Sequence, residues 1–334
     1  MPSSATEVST RVVADVDIGG TKCLGLLLGP EGEVLAEERV PTPHGASNLA
    51  DTVVAVVEAL SSGGGSSTAA VGVGAPGLVD HRGVLRAAPN LVGVTEMPIR
   101  DEIAERLGIP VTVDNDATCA LVAEWRHGVA KGLDDVVLVT LGTGIGGGVV
   151  AGGELQRGSN GFTSEPGHMV IDPNGPPCVC GRRGCWERYA SGSGLARLAR
   201  DAAFGGRASA VVAAAGGDPE LVRGEHVTLA ARGGDPEAQQ VIEDWAWWLA
   251  LGLVNLTNLL DPAMIVLGGG LVSETDLLLE PIGRMYEGLL YAPTHRPRPQ
   301  LVAAVLGERA GAMGAATIAA DALSREARSE PERR

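Results

Sequence analysis

Aromatic side chains are scarce in this chain: tryptophan, tyrosine and phenylalanine together make up 3% of 334 residues. With 45% hydrophobic content, the interior has to be filled by tightly packed Val, Leu and Ala. Basic charge is also in short supply. Lys and Arg number 26 against 41 Asp and Glu, a formal charge of −15. No basic footprint exists to neutralise phosphates, which argues against nonspecific nucleic-acid binding and against an anionic membrane surface. Long apolar runs are missing too. The one membrane-like stretch, Trp245–Val254, is too short to span a bilayer and is flanked by Glu243, Asp244, Asn255 and Asn258. It reads as a buried helix. The first twelve residues show no basic start leading into an apolar core, so a cytoplasmic protein is expected.

Glycine is the residue in excess, at 48 copies, clustered at the ends of apolar runs. That placement marks strand-to-turn junctions. The length allows two domains, each with its own core. The first strand is expected at Arg11–Val16, followed by Asp17-Ile18-Gly19-Gly20-Thr21-Lys22 and a second strand over Cys23–Leu28. Helical spacing covers Asn48–Leu60, and Ser61–Ser67 reads as a loop. Val136–Leu141 repeats the pattern, ending in Gly142-Thr143-Gly144-Ile145-Gly146-Gly147-Gly148 before another strand. Strand, Gly/Thr turn, strand thus occurs twice, as an internal duplication would produce. Further on come helices over about Leu195–Leu260, strands at Met264–Leu267 and near Leu301–Leu306, and a helix over about Ala310–Leu323.

Gly142, Gly144 and Gly147 match the dinucleotide fingerprint, as do Gly72, Gly74 and Gly77. That fingerprint needs a helix directly after the glycines, and here extended or turning chain follows. The Rossmann reading is rejected, and no Walker A spacing exists at Gly20-Thr21-Lys22. A tight hairpin still presents backbone N–H groups to an anion. Two such hairpins, each with Thr or Lys donors, point to a nucleotide triphosphate, with Asp17 placed to hold Mg²⁺ directly or through water.

Asp114-Asn115-Asp116 ends the short strand Val111–Val113 and opens a helix. One of the three can serve as the helix cap, but three exceed what a cap needs. A carboxylate here can accept the proton of an attacking hydroxyl, with Asn115 orienting the same substrate. Farther along, His168, Cys178, Cys180 and Cys185 offer one imidazole and three thiols in a short span, a set suited to a closed tetrahedral zinc site. A disulfide or plain burial remains the alternative, with metal favoured where thiols stay reduced. Glu165 and Glu187 bracket this stretch. Cys23 and Cys119 sit in apolar patterns and read as core.

Together these motifs resemble the ROK family of sugar kinases and repressors over nearly the whole chain. They are D-I-G-G-T-K at 17–22, G-A-P-G at 74–77, D-N-D-A at 114–117, G-T-G-I-G-G-G at 142–148, E-P-G-H at 165–168 and C-V-C-G-R-R-G-C-W-E at 178–187. Within the family the resemblance is to actinobacterial-type glucokinases. It implies an α/β, actin-like (ribonuclease H-like) fold with two domains around a cleft. Expected boundaries are 1–115 plus 305–325, then 116–304 with the zinc loop, and a disordered tail over 326–334. It implies transfer of the γ-phosphoryl of MgATP to the 6-hydroxyl of glucose, with Asp116 as base. Gly77, Asn90, Asn115, Glu165, His168 and Glu187 would bind the sugar. Asp17, Gly19, Gly20, Thr21 and Lys22 would form one phosphate loop; Gly142, Thr143 and Gly144 the other. Gly268, Gly269 and Gly270 would lie near adenosine. His168, Cys178, Cys180 and Cys185 match the family's zinc ligands, so His168 would bind metal and sugar through different ring nitrogens. A homodimer or homotetramer is implied.

Two departures bear on sugar choice. The usual Ala-Gly-Glu-x-Gly-His is here Thr163-Ser164-Glu165-Pro166-Gly167-His168, and the Asn that commonly follows D-N-D-A is Thr118. Alternatives are N-acetylmannosamine, fructose or allose as substrate, polyphosphate as donor, or a non-catalytic sugar sensor. A DNA-binding repressor is disfavoured by the acidic charge and the ten or so residues before the first strand.

Overall fold

The computed structural model describes residues 12–329 apart from 65, 66, 90, 92 and 164. They fall into two compact units: residues 12–132 with Leu155–Thr163 and 305–329, and Leu133–Glu154 with 165–304.

The first unit is laid down as β1 (Val12–Ile18), β2 (Lys22–Leu28), β3 (Val34–Pro41), α1 (Ala46–Gly64), β4 (Thr68–Ala75), β5 (Leu78–Val79), β6 (Leu85–Ala87), β7 (Thr95–Met97), α2 (Ile99–Leu107), β8 (Val111–Asn115) and α3 (Asp116–Arg126). Its main sheet has the order β3-β2-β1-β4-β8. β1 and β2 are antiparallel, while β4 and β8 run parallel to β1. A strand covered on both faces must be apolar on both. Val12, Ala14, Val16 and Ile18 face the core shared with Leu49, Val53 and Val56 of α1 and Ile99 of α2. Val13 joins Leu24, Leu26 and Leu28 on the other side.

The second unit contains β9 (Val136–Leu141), β10 (Ile145–Ala151), the first residue of β11 (Glu154–Leu155), α4 (Glu187–Ala190), α5 (Gly192–Phe204), α6 (Ser209–Ala214), α7 (Gly224–Arg232), α8 (Pro236–Leu260), β12 (Met264–Gly268), α9 (Thr275–Leu289) and β13 (Gln300–Ala303). Its sheet order, β11-β10-β9-β12-β13, has the same plan as the first: an antiparallel hairpin, then two parallel strands. The duplication read from the turns is therefore a duplication of topology. α8 starts as its sequence dictates, with Asp235 capping Ala238 N at 2.7 Å and Pro236 in the first turn. The Trp245–Val254 stretch is buried at Trp245, Leu249 and Leu253. Among the described residues no helix is long and apolar enough to cross a membrane.

The chain closes with α10 (Ala310–Ser329), back in the first unit. Small residues let α10 lie directly on its neighbours, where aromatic ones would hold it away. A Cβ on Gly72 of β4 would come 2.1 Å from Ala315 O, and one on Gly314 would come 1.7 Å from Cys119 O of α3. This contact draws α3 into the first unit, so the boundary expected after residue 115 lies at Gly132. Leu155–Thr163 also belongs to the first unit, which the sequence did not suggest. Three other expectations are corrected. α1 runs on to Gly64 through part of the expected loop, with Ser61 and Ser62 hydroxyls donating to Val57 O and Glu58 O. α10 continues to Ser329, so 326–329 are helical, Arg328 Nε reaching back to Ser324 O. β13 stops at Ala303. Residues 330–334 of the expected tail lie outside the described residues.

Candidate active site

The three side chains at the β8–α3 junction have three different jobs. Asp114 is bound by a cation: Arg157 Nε donates to its Oδ2 at 2.7 Å, and Oδ1 accepts from Asn115 N. Asn115 is the cap of α3. Its Oδ1 accepts from Thr118 N at 3.0 Å and its Nδ2 donates to Gly77 O at 3.1 Å, which joins the helix start to the 74–77 turn. Gly77 has φ +97°, and a Cβ there would lie 2.2 Å from Ala87 O, so only glycine suits it. Asp116 accepts from Ala117 N at 2.8 Å and has no cation beside it among the described residues. Burial holds its carboxyl above the ordinary range, against the pull of the backbone N–H. That raised carboxyl gives Asp116 basicity.

Asp17 is the penultimate residue of β1, on the side facing α10. Its carboxyl is pushed up to about 7, by burial first and by the Asp116 charge second, with Lys22 opposing. Oδ1 is buried without a hydrogen-bond partner, and a Cβ on Gly311 of α10 would come 2.6 Å from the Asp17 carboxyl. Such a carboxylate fits a divalent cation. Gly19, Gly20, Thr21 and Lys22 make the β1–β2 turn, closed by Gly19 N to Lys22 O at 2.9 Å. Gly20, Thr21 and Lys22 are exposed. The Lys22 ammonium is held by Glu308 at 2.6 Å, and Glu308 also binds Arg39. Asn90 lies outside the described residues.

In the second unit the β9–β10 turn exposes Gly142 and Thr143. Gly144 sits under a carboxylate: a Cβ there would be 2.6 Å from Glu187 Oε2. Glu187 Oε1 accepts from Cys178 Sγ at 3.1 Å and lies 3.9 Å from His168 Nδ1. Glu165 opens the 3-10 turn Pro166–His168, its carbonyl accepting from His168 N. That turn rests on β10, since a Cβ on Gly167 would meet Ile145 O at 2.2 Å. The donor atoms of His168, Cys178, Cys180 and Cys185 all lie within 4.8 Å of one another, and Cys180 and Cys185 sulfurs are 3.5 Å apart. Three soft sulfurs and an imidazole nitrogen at that spacing suit tetrahedral zinc. Gly268 ends β12, and Gly269, at φ +88°, packs on the Leu141 backbone while Gly270 faces open space.

A model of the ROK family matches residues 13–322. The chain belongs to the ROK family. It is 40% identical to the glucokinase of Streptomyces coelicolor over 91% of this chain and 96% of that protein. It is 32% identical to the N-acetylmannosamine kinase of Escherichia coli O127:H6 over 91% and 97%. The ROK glucokinase of Streptomyces griseus, solved with glucose and AMPPNP, superposes with a TM-score of 0.83 at 39% identity, over 93% of this chain and 99% of that one. The ROK fold, an actin-like ATPase fold, is thus the fold of this chain.

Motif reading brought out the D-N-D and E-P-G-H groups but missed Arg157 and Glu124. Arg157 belongs to no motif. Glu124 left a signal: Ala117, Leu121 and Glu124 follow one apolar stripe of α3, so an acid stands where helical period demands a buried residue.

Proposed function

We propose that this ROK protein is an ATP-dependent glucokinase, transferring the γ-phosphoryl group to the 6-hydroxyl of glucose. The observation that carries the reading is Asp116: an acid at a helix start, without a cation among the described residues, raised by burial, beside an aspartate that Arg157 holds. Phosphoryl transfer asks for positioning and charge neutralisation more than base strength. Asp116 takes the proton of the attacking hydroxyl, while Asn115 and Gly77 hold the sugar beside it. Glu165, Glu187 and the His168 Nε2 take further hydroxyls. The 19–22 and 142–144 turns, each closed by the N–H of its first glycine, receive the phosphates on their remaining backbone N–H groups, and Gly268–Gly270 meets adenosine. Asp17 binds the Mg²⁺ that accompanies ATP, which supplies countercharge to the phosphates. Lys22 exchanges Glu308 for a phosphate oxygen.

His168 Nδ1, Cys178, Cys180 and Cys185 hold zinc in this reading. Bound zinc supplies a fixed cross-link that orients the His168 ring. Cys180→Ser should therefore lose zinc, measured by metal analysis, and lose glucose affinity with it; a zinc-free variant with unchanged sugar KM would end the structural role. Cytoplasmic residence and a homodimer or homotetramer belong to the same reading.

The experiment is ADP release with MgATP against glucose, mannose, fructose, allose, N-acetylglucosamine and N-acetylmannosamine. A large preference for glucose is expected. A preference for N-acetylmannosamine would keep the mechanism and change the substrate, the reading favoured by the Escherichia coli relative.

A further inference from the structure

The loop Leu155–Thr163 is flanked on both sides in sequence by the second unit, yet it folds into the first. It closes on itself through Thr163 N to Arg157 O at 3.2 Å. His81 Nε2 meets Gly158 O at 2.9 Å. Gly161, at φ +94°, lies so close to the end of β5 that a Cβ would come 2.6 Å from Val79 O. What this loop delivers is one guanidinium. Arg157 Nε donates to Asp114 Oδ2 at 2.7 Å, with the Asp114 side chain only 10% exposed.

Asp114 stands directly before the two residues that act. Its other oxygen accepts from the backbone N–H of Asn115, and the chain then changes from extended, with Asn115 at ψ 142°, to the helix that begins at Asp116. Asn115 and Asp116 project from this bend, and among the described residues their side chains bond α3 backbone and Gly77. The backbone before the bend is held by the sheet, with Asp114 opposite Gly74 and Asn115 opposite Ala75 of β4. Arg157 adds a side-chain anchor at Asp114, from a loop distant in sequence.

We infer that Arg157 is a positioning residue for phosphoryl transfer, setting the placement of Asn115 and Asp116 through Asp114. The inference rests on the kinase reading of Asp116. It follows that the geometry of the Nε–H matters as well as the charge, because a lysine ammonium is a point charge without a directed fork. A shift on the order of 1 Å at the reacting groups can cost about 100-fold in rate.

The test is steady-state kinetics with MgATP and glucose on the full chain, comparing Arg157→Ala, Arg157→Lys, Asp114→Asn and the Arg157→Ala/Asp114→Asn double variant. Arg157→Ala and Asp114→Asn should each lower kcat about 10- to 100-fold, with sugar KM changed by no more than about 3-fold. The double variant should be no worse than the poorer single one, as residues acting through one contact are not additive. Arg157→Lys should recover only part of kcat. Wild-type kcat in Arg157→Ala, or losses that multiply in the double variant, would overturn the inference. A loss confined to sugar KM would also overturn it, by making Arg157 a sugar ligand. If Arg157→Ala melts early, Arg157→Gln keeps an N–H donor on a similar stem and carries the same comparison. A wild-type protein without turnover on any hexose would remove the kinase reading itself, a failure distinct from an active Arg157→Ala.

Discussion

Asp116→Asn abolishes turnover and makes the protein more stable. The first half follows from the proposed role: a general base typically contributes about 10²- to 10⁴-fold, and an amide cannot take the hydroxyl proton. The second half follows from the sign of the shift. Burial raises the Asp116 carboxyl above its ordinary range, so the native state penalises the charged form. Wild-type stability then declines as pH rises from the unfolded carboxyl value, about 3.9, through the raised native one, and stays lowered above it. Asparagine keeps an oxygen for the 2.8 Å bond from Ala117 N without the charge. The variant should melt higher than wild type at pH 7, on the order of a few degrees, and the gap should close as pH falls below the ordinary carboxylate range. Thermal melts of both proteins across pH measure this. Equal melting at pH 7 and pH 4 would mean that the Asp116 charge carries no native-state penalty. Retained turnover would remove it as base. An acid that costs stability where it stands is what a site selected for chemistry is expected to hold.

The parts of this fold legible in the sequence are those where one residue type has one physical use. Gly77 with φ +97° and the turns at 19–22 and 142–144 are marked by glycine, whatever else the chain does. Cys178, Cys180, Cys185 and His168 announce a soft donor set by chemistry alone, and the structure brings them together. The repeated hairpin turn foretold two sheets of one order. What stayed hidden is set by contacts distant in sequence. The unit boundary depends on Gly314 closing on Cys119, nearly two hundred positions apart, and no local pattern encodes that. The loop that returns Arg157 to the first unit is the same case. Asp114, Asn115 and Asp116 were legible as a group but not as individuals. Only Arg157, Thr118 N and Gly77 O separate the acid that Arg157 holds from the cap and from the base.

The largest loss of stability from one side chain should come from Glu124, two turns beyond Asp116 on α3. Its carboxylate is fully buried and meets three backbone N–H groups. Val305 N and Leu306 N donate to Oε1 at 2.8 Å each, and Val129 N donates to Oε2 at 3.1 Å. Gly128 is glycine for the same reason, since a Cβ there would be 2.1 Å from Oε2. These partners lie where the chain nears its exit from the first unit at Gly132 and where it resumes at Val305. One carboxylate thus fastens both segments to the helix that carries Asp116, and the second of them leads into α10, whose Gly311 backs Asp17. Glu124→Ala leaves three N–H groups unpaired around a cavity and should cost about 3–5 kcal/mol, read as a lowered urea midpoint. Glu124→Gln keeps the shape and an acceptor oxygen for Val305 N and Leu306 N, placing its amide N–H₂ against Val129 N, and should cost about 1–3 kcal/mol. The order Ala worse than Gln worse than wild type identifies the acceptor role. Equal loss in both variants would assign the effect to charge, and no loss in either would mean that water replaces the carboxylate at those amides.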